Sequence, residues 1–300
     1  MLQENSIKLS SSLAVATRVR DYSQLMKFNL TFMVAFSSVV GFWLAAPRDE
    51  FSVLKVLLLF AAGILVTGAA NAINQLLERD TDKLMARTSV RPLPTGRVSV
   101  PEAVVLASVA SVGGILIMGF AFNWLSAGIS ALSLIMYAFV YTPWKKWNSF
   151  AVLVGAFPGA LPPLIGWTAG SNAIDEGGIS LFIIQFIWQF PHFWAIAWLG
   201  YKDYLKAGFR LLPASGEPTR LTALQATMWV LLLIPAGLAP YLLKICGPFY
   251  AGISVAAALF FLYRSILLLK KCDVPAARKL MFGSYIYLTV VQLAMLADKV

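Results

Sequence analysis

An all-α, polytopic membrane fold with nine transmembrane helices is what this sequence predicts, on three observations. Of 300 residues, 59% are hydrophobic and only 13% charged, about half the charged share of soluble domains. The charges fall in short clusters between apolar runs about as long as a bilayer is thick. Those runs are continuous rather than alternating, which excludes a β-barrel and leaves helices as the way to satisfy the backbone in lipid.

The runs are 28–46, 53–77, 103–122, 125–141, 150–169, 179–199, 221–243, 249–269 and 280–297. Each is compatible with a spanning helix of roughly 17–25 residues, the fourth being the shortest. The fifth carries Pro158, Pro162 and Pro163, the sixth Pro191, and the seventh Pro235 and Pro240. Such breakers suit helices that surround a cavity, and they are also frequent in ordinary packed spanning helices. Residues 1–27 contain Glu4 and Asp21 and no apolar core before Phe28, unlike a cleavable signal peptide. They are expected to form a cytoplasmic or interfacial segment ahead of one intramembrane domain, 28–300.

Lysine and arginine placement orients the chain. With the N-terminus cytoplasmic, one face collects Lys8, Arg18, Arg20 and Lys27, the basic residues of loops 78–102 and 200–220, Lys145, Lys146, Lys270 and Lys271. The other face keeps only Arg48, Lys55, Lys244 and Lys299. That asymmetry obeys the positive-inside rule and supports the helix count, because one helix more or fewer would scramble it. It also accounts for the net charge of +10; a nucleic-acid partner is not expected of a chain with so little polar surface. Cys246 and Cys272 should lie on opposite sides of the membrane, so no disulfide is expected, and no metal-type cysteine spacing exists.

Two polar clusters break the apolar pattern. In the first, Asn74, Glu78 and Asp82 are four residues apart; on a continuing helix they form one stripe, drifting about 40° per step, while Asp80 points elsewhere. Arg79, Lys83 and Arg87 make a parallel basic stripe. Like charges at this spacing repel, but an acidic ridge beside a basic one suits a divalent cation bridged to phosphate oxygens. A solvated helix end with Arg79–Asp82 and Asp80–Lys83 pairs is the alternative. Beyond the loop at Arg91, Ser99-Val-Pro-Glu102 reads as a capping box.

The second cluster follows the sixth run: Asp203 with Lys202, Lys206 and Arg210, on the same face as the first. His192, the only histidine, lies two to three turns before the expected end of that run, beside Pro191 and among aromatics. Intramembrane ionisable residues usually face a cavity. Heme contact, axial ligation, proton transfer and a structural hydrogen bond to a neighbouring helix all remain open for it.

These clusters resemble those of the UbiA-type intramembrane prenyltransferases, whose Asn-x-x-x-Asp-x-x-x-Asp pattern is matched by Asn74, Glu78 and Asp82, with Glu78 where the family usually has aspartate. Within that family the chain is most similar to the heme O synthases. The stretches that carry this are 79–88 with Arg91-Pro-Leu, Tyr141-Thr-Pro-Trp-Lys145, Gly159-Ala-Leu-Pro162-Pro163-Leu-Ile-Gly166, Trp188-Gln-Phe-Pro191-His192-Phe, and Lys202-Asp203-Tyr-Leu-Lys-Ala207-Gly208. The resemblance covers about residues 25–295.

The resemblance implies nine helices around a lateral cavity and transfer of a farnesyl group from farnesyl diphosphate to a vinyl group of heme B, with addition of water. Asn74, Glu78, Asp82 and Asp203 would hold Mg²⁺ on the diphosphate. Lys83, Arg87, Arg91 and Lys202 would neutralise the leaving group, and His192 would contact heme. It further implies a bacterial inner membrane and an association with heme A synthase or terminal oxidase assembly. A quinone-pathway prenyltransferase would share the first cluster but not the Pro-His or Asp-Tyr stretches. A transporter would favour charges near the midplane and an internal repeat, and neither is evident here.

Overall fold

A computed structural model describes residues 15–47, 52–213 and 217–300. Lys8, Arg48 and the first half of the 1–27 segment therefore lie outside the described residues. Among those described, helices dominate, and the sole extended pairing is an isolated antiparallel bridge between Cys246 and Lys299.

Nine described helices are long and apolar enough to cross a membrane: α1 (Phe28–Ala45), α2 (Val53–Leu77), α3 (Val100–Ala121), α4 (Trp124–Trp144), α5 (Ala151–Ser171), α6 (Glu176–Lys206), α7 (Arg220–Leu242), α8 (Pro248–Lys271) and α9 (Val274–Ala297). A further helical stretch, 15–25, precedes α1. Most ends agree with the apolar runs to within a few residues. Three do not, and each has a local cause. α9 starts early because the Asp273 side chain accepts from Ala276 N at 2.7 Å and proline occupies its first turn. α4 runs on through a π-helical turn, Met136–Tyr141, which carries the chain into Thr142–Trp144. α6 passes the apolar boundary because 201–206 holds no glycine or proline before Gly208, whose φ is +76°.

Two corrections to the expected site follow. Asp203 stands on the last turns of α6 rather than in a loop. His192 is fourteen residues from the end of that helix, about 21 Å or four turns, deeper than two to three turns. The stripe through Asn74, Glu78 and Asp82 is also not one helix. α2 closes at Leu77, Glu78 adopts φ −97° and ψ 5°, and a short helix, Arg79–Asp82, resumes. The four-residue rhythm survives the break, since Glu78 N donates to Asn74 O at 3.0 Å and Asp82 N to Glu78 O at 2.7 Å. The capping box at Ser99 and Glu102 forms as expected.

Successive helices pack side by side, and α6 to α9 close on themselves through an α6–α9 contact. α5 is the most enclosed, with 78% of its apolar window buried, so its three prolines are sheltered by protein rather than lipid. Its contact with α1 is backbone to backbone: a Cβ on Gly41 would lie 2.0 Å from Pro163 O, and one on Gly166 would lie 1.7 Å from Ser38 O. Small residues let membrane helices approach this closely. Gln189 Nε2 joins α6 to α5 through Ala156 O at 3.0 Å. The outer surface is apolar, as at Val109 and Phe120, which suits lipid. Cys246 and Cys272 are at opposite ends of α8 and both are free thiols.

Candidate active site

At the basic end, α1, α2 and α4 converge on the first cluster. Asn74, on the last turn of α2, is buried and ties all three together. Its Oδ1 accepts from Lys27 Nζ at 3.3 Å. Its Nδ2 donates to Thr142 Oγ1 at 3.0 Å. Lys27 reaches it from a left-handed turn, φ 50° and ψ 55°, that separates helix 15–25 from α1. Thr142 is aimed by the π turn, because its hydroxyl donates to Tyr137 O at 2.9 Å. Single π turns of this kind recur at functional sites.

Both carboxylates of the cluster are buried and each has its own cation. Lys145 Nζ donates to Glu78 Oε1 at 2.8 Å. Arg91 Nη1 donates to Asp82 Oδ2 at 2.7 Å, with the Asp82 side chain fully buried. Thr88 Oγ1 donates to Asp82 O at 2.8 Å and holds the loop against it. Asp82 Oδ1 is buried with no hydrogen-bond partner. Burial, reinforced by the negative charge of Glu78, pushes the Asp82 carboxyl above its ordinary range despite Arg91. Burial also works against the Lys145 charge, but Glu78 outweighs it and raises the ammonium's pKa. Lys27 is pushed down to about 7 by burial and by the like charges of Arg91 and Lys145.

This donor set fits a magnesium ion brought with phosphates. Among the described residues, no three acidic, histidine or cysteine groups converge into a cage. Two carboxylates and an amide oxygen are what Mg²⁺ accepts from protein when substrate phosphates supply the remainder, and the orphaned Asp82 oxygen is a ligand position in waiting.

The second cluster adjoins the first without merging into it. Met85 packs with Ala207 and Phe209 in a small apolar seam, and Arg87 Nη2 donates to Tyr204 Oη at 3.4 Å. Between this loop, α6 and α9 lies a cavity of about 400 Å³, lined by Arg87, Asp203, Ile196, Leu199, Met281 and Tyr285 among others. Glu78 and Asp82 do not line it. Asp203 is partly exposed and pairs with Lys206 at 3.2 Å. Lys202 is exposed. Lys83 is turned to solvent with Asp80 at 3.1 Å, and Arg79 also pairs with Asp80 rather than with Asp82. His192 is buried; its Nδ1 is 2.7 Å from Ser284 Oγ, and its ring stacks on Trp188 at 4.6 Å.

Reasoning from sequence passed over Lys27, Thr142 and Lys145 as site residues. Lys145 and Thr142 were visible in Tyr141-Thr-Pro-Trp-Lys145, but nothing in the spacing said that they fold back onto α2. The only signal for Lys27 was a lone cation at the threshold of the first apolar run.

Nine described helices long and apolar enough to cross a membrane, with paired carboxylates and cations gathered at one end, define a multi-pass membrane protein. Residues 34–288 match the UbiA prenyltransferase family, and the chain belongs to that family of membrane enzymes. It is 42% identical over 287 residues, 95% of this chain and 100% of the relative, to a protoheme IX farnesyltransferase of Cytophaga hutchinsonii. It is 42% identical over 290 residues, 95% of each chain, to one of Christiangramia forsetii. Among solved structures, a digeranylgeranylglyceryl phosphate synthase superposes with a TM-score of 0.76 at 21% identity, covering 94% of this chain and 98% of that one. A UbiA homologue from Archaeoglobus fulgidus bound to GPP and Mg²⁺ gives 0.66 at 15% identity, covering 92% and 99%.

Proposed function

We propose that the protein transfers the farnesyl group of farnesyl diphosphate, with addition of water, to a vinyl group of heme B, making heme O and releasing diphosphate. It would do so in a bacterial cytoplasmic (inner) membrane, with the N-terminus and the basic end on the cytoplasmic side. The observation that carries the reaction type is the buried Glu78–Asp82 pair, each carboxylate matched by a cation and Asp82 Oδ1 left unpartnered. Heme B as acceptor is supported by the 42% identity to protoheme IX farnesyltransferases.

Asn74, Glu78 and Asp82 would hold Mg²⁺ against the diphosphate, and Asp203 would approach from the neighbouring cavity. Bound there, the ion supplies Lewis acidity to the leaving group. Lys27, Arg91 and Lys145 would neutralise the negative charge that grows on the diphosphate as the allylic C–O bond breaks, as preset donors of the oxyanion-hole kind. Arg87 lines the neighbouring cavity, Lys202 is exposed, and Lys83 would have to leave Asp80 to join them. The vinyl carbon attacks the farnesyl cation, water captures the resulting carbocation, and a proton is released. The apolar bundle keeps water from the farnesyl cation beforehand.

The test is a mass spectrum of heme extracted from membranes carrying the protein, supplied with farnesyl diphosphate and either heme B or an aromatic acid. A hydroxyethylfarnesyl heme is the expected product; a prenylated aromatic acid with untouched heme overturns the acceptor.

A further inference from the structure

We infer that Arg97 is a positioning residue of the diphosphate site: its guanidinium holds the backbone on both sides of Arg91 and fastens it to the helix at 15–25. This rests on Arg91 receiving the diphosphate, as proposed above. Arg97 acts through Arg91 rather than on the anion, because four of its five N–H groups are already given to protein.

Arg91 meets Asp82 at 2.7 Å from a stretch of successive turns, 83–98, with no long helix to carry it. A functional group on such a loop is precise only if its supports are. Arg97 supplies them on both sides of the Arg91 Cα. Its Nη2 donates to Val90 O at 3.0 Å, the carbonyl just before Arg91. Its Nη1 donates to Thr95 Oγ1 at 2.9 Å. That hydroxyl passes its own hydrogen to Arg91 O at 2.8 Å, the shorter of its two carbonyl contacts. One planar, rigid fork therefore fixes both peptide groups that flank Arg91.

The rest of the fork gives that loop a fixed reference. Arg97 Nε donates to Asp21 Oδ1 at 2.9 Å, where the Asp21 side chain is only 5% exposed. Nη2 also donates to Gln24 Oε1 at 3.1 Å. Asp21 and Gln24 belong to helix 15–25, and this helix is anchored on α2 beside the first cluster. Gln75, which follows Asn74, is fully buried, and its Nε2 donates to Gln24 O at 3.2 Å and to Leu25 O at 2.6 Å. Arg97 thus sets Arg91 relative to the turn of α2 that carries Asn74. Lys27, two residues past Leu25, takes its place from the same anchorage.

Attachment of the loop to the bundle does not need this arginine. Leu93 and Val98 are buried in an apolar seam with Leu25, Ala72 and Ala103, and burial of that kind is non-directional. It keeps 83–98 in place without fixing where the Arg91 side chain starts. The directional bonds of Arg97 do that, and they hold Arg91 on Asp82 before any anion arrives.

The experiment uses the purified full chain in nanodiscs. It measures the thermal midpoint, the binding of inorganic diphosphate with Mg²⁺ by calorimetry, and kcat/KM for farnesyl diphosphate. Arg97→Gln strands the buried Asp21 charge and should lower all three. Adding Asp21→Asn should return the midpoint to near the wild-type value but restore neither affinity nor kcat/KM. The latter should stay at least about tenfold low, since a misplacement of about 1 Å can cost about 10²-fold. In an Arg91→Gln background the same two changes should cost less than about twofold more, the non-additivity of residues that act as one unit. Should the charge-removing variants fail to fold, Thr95→Val decides. Thr95 is exposed and uncharged, and losing its hydroxyl should weaken diphosphate by about twofold or more, the scale of one neutral hydrogen bond. Affinity and kcat/KM that recover together with the midpoint make Arg97 merely structural and overturn the inference, leaving the diphosphate site standing. A full additional loss in the Arg91→Gln background overturns action through Arg91. Undiminished diphosphate affinity in Arg91→Gln alone overturns Arg91 as a diphosphate ligand, and with it the reading on which the inference rests.

Discussion

Lys145 and Glu78 meet at 2.8 Å although 67 residues separate them. One follows the end of α4 and the other closes α2, and both are buried. Together with Arg91 on Asp82, this contact makes the cluster self-neutralising before any substrate arrives. Lys27, whose own partner is the neutral Asn74 side chain, is pushed down to about 7 by burial and by Arg91 and Lys145, so an arriving anion would favour its charged form.

A buried pair broken on one side leaves a stranded charge, at a cost of about 3–5 kcal/mol. Lys145→Met should therefore lower the thermal midpoint of the purified protein markedly. Glu78→Gln in the same chain should restore most of the loss, because both charges are then gone. Turnover should be abolished in the single and the double variant alike. A double variant no more stable than Lys145→Met would show that the ion pair is not what the single change breaks.

Metal dependence should be separable from folding. Because Lys145 and Arg91 already match the carboxylates, chelation with EDTA in the absence of substrate should leave the thermal midpoint where it is. Turnover should vanish on chelation and return with Mg²⁺. With diphosphate present, Mg²⁺ should raise the midpoint, as any ligand that binds only the native state does. A midpoint that falls on chelation of the free protein would mean a preformed cage.

The helix count, the approximate spans and the capping box at Ser99 were legible in the sequence because each depends on local composition: twenty apolar residues, or a serine three before a glutamate. The ends that moved depend on single residues beyond the apolar boundary, such as the cap at Asp273 and the late stop at Gly208. The first cluster was legible as Asn74, Glu78 and Asp82, since they ride one segment. Two of its cations were not, because Lys27 and Lys145 arrive from α1 and α4 through a left-handed turn and a π turn. Neither turn leaves a mark in periodicity. Arg79 was offered as a partner for Asp82 on spacing alone, yet Asp82 is taken by Arg91 from across the loop.

The α1–α5 contact should be intolerant of one methyl group. A Cβ on Gly166 falls 1.7 Å from Ser38 O, a backbone atom that a rotamer change cannot move aside. Gly166→Ala should cost about 1–3 kcal/mol or more, read as a lower midpoint or loss of folded protein from membranes. Gly113, on α3, has nothing within 4 Å of its Cβ position, and alanine there should be neutral or mildly stabilising, since glycine costs a helix interior about 0.5–1 kcal/mol. Equal effects at the two positions would remove close backbone approach as the cause.

Asp80 and Asp82 stand two residues apart on the same short helix, and their environments predict opposite outcomes. Asp80 is 72% exposed and pairs with Arg79 and Lys83 in solvent; those charges hold its carboxyl below the ordinary range, but water screens such pairs and they contribute little to stability. Asp82 is fully buried, bonded to Arg91 through one oxygen and unpartnered at the other. Asp80→Asn should leave turnover and thermal midpoint at wild-type values. Asp82→Asn keeps the shape but removes the charge that a metal requires, so turnover should fall by at least about 10²-fold, the scale of losing one preorganised electrostatic group, in protein that remains folded. Undiminished turnover in Asp82→Asn would take Asp82 out of the metal site, whereas a large loss in Asp80→Asn would mean that the exposed carboxylate turns inward when substrate binds.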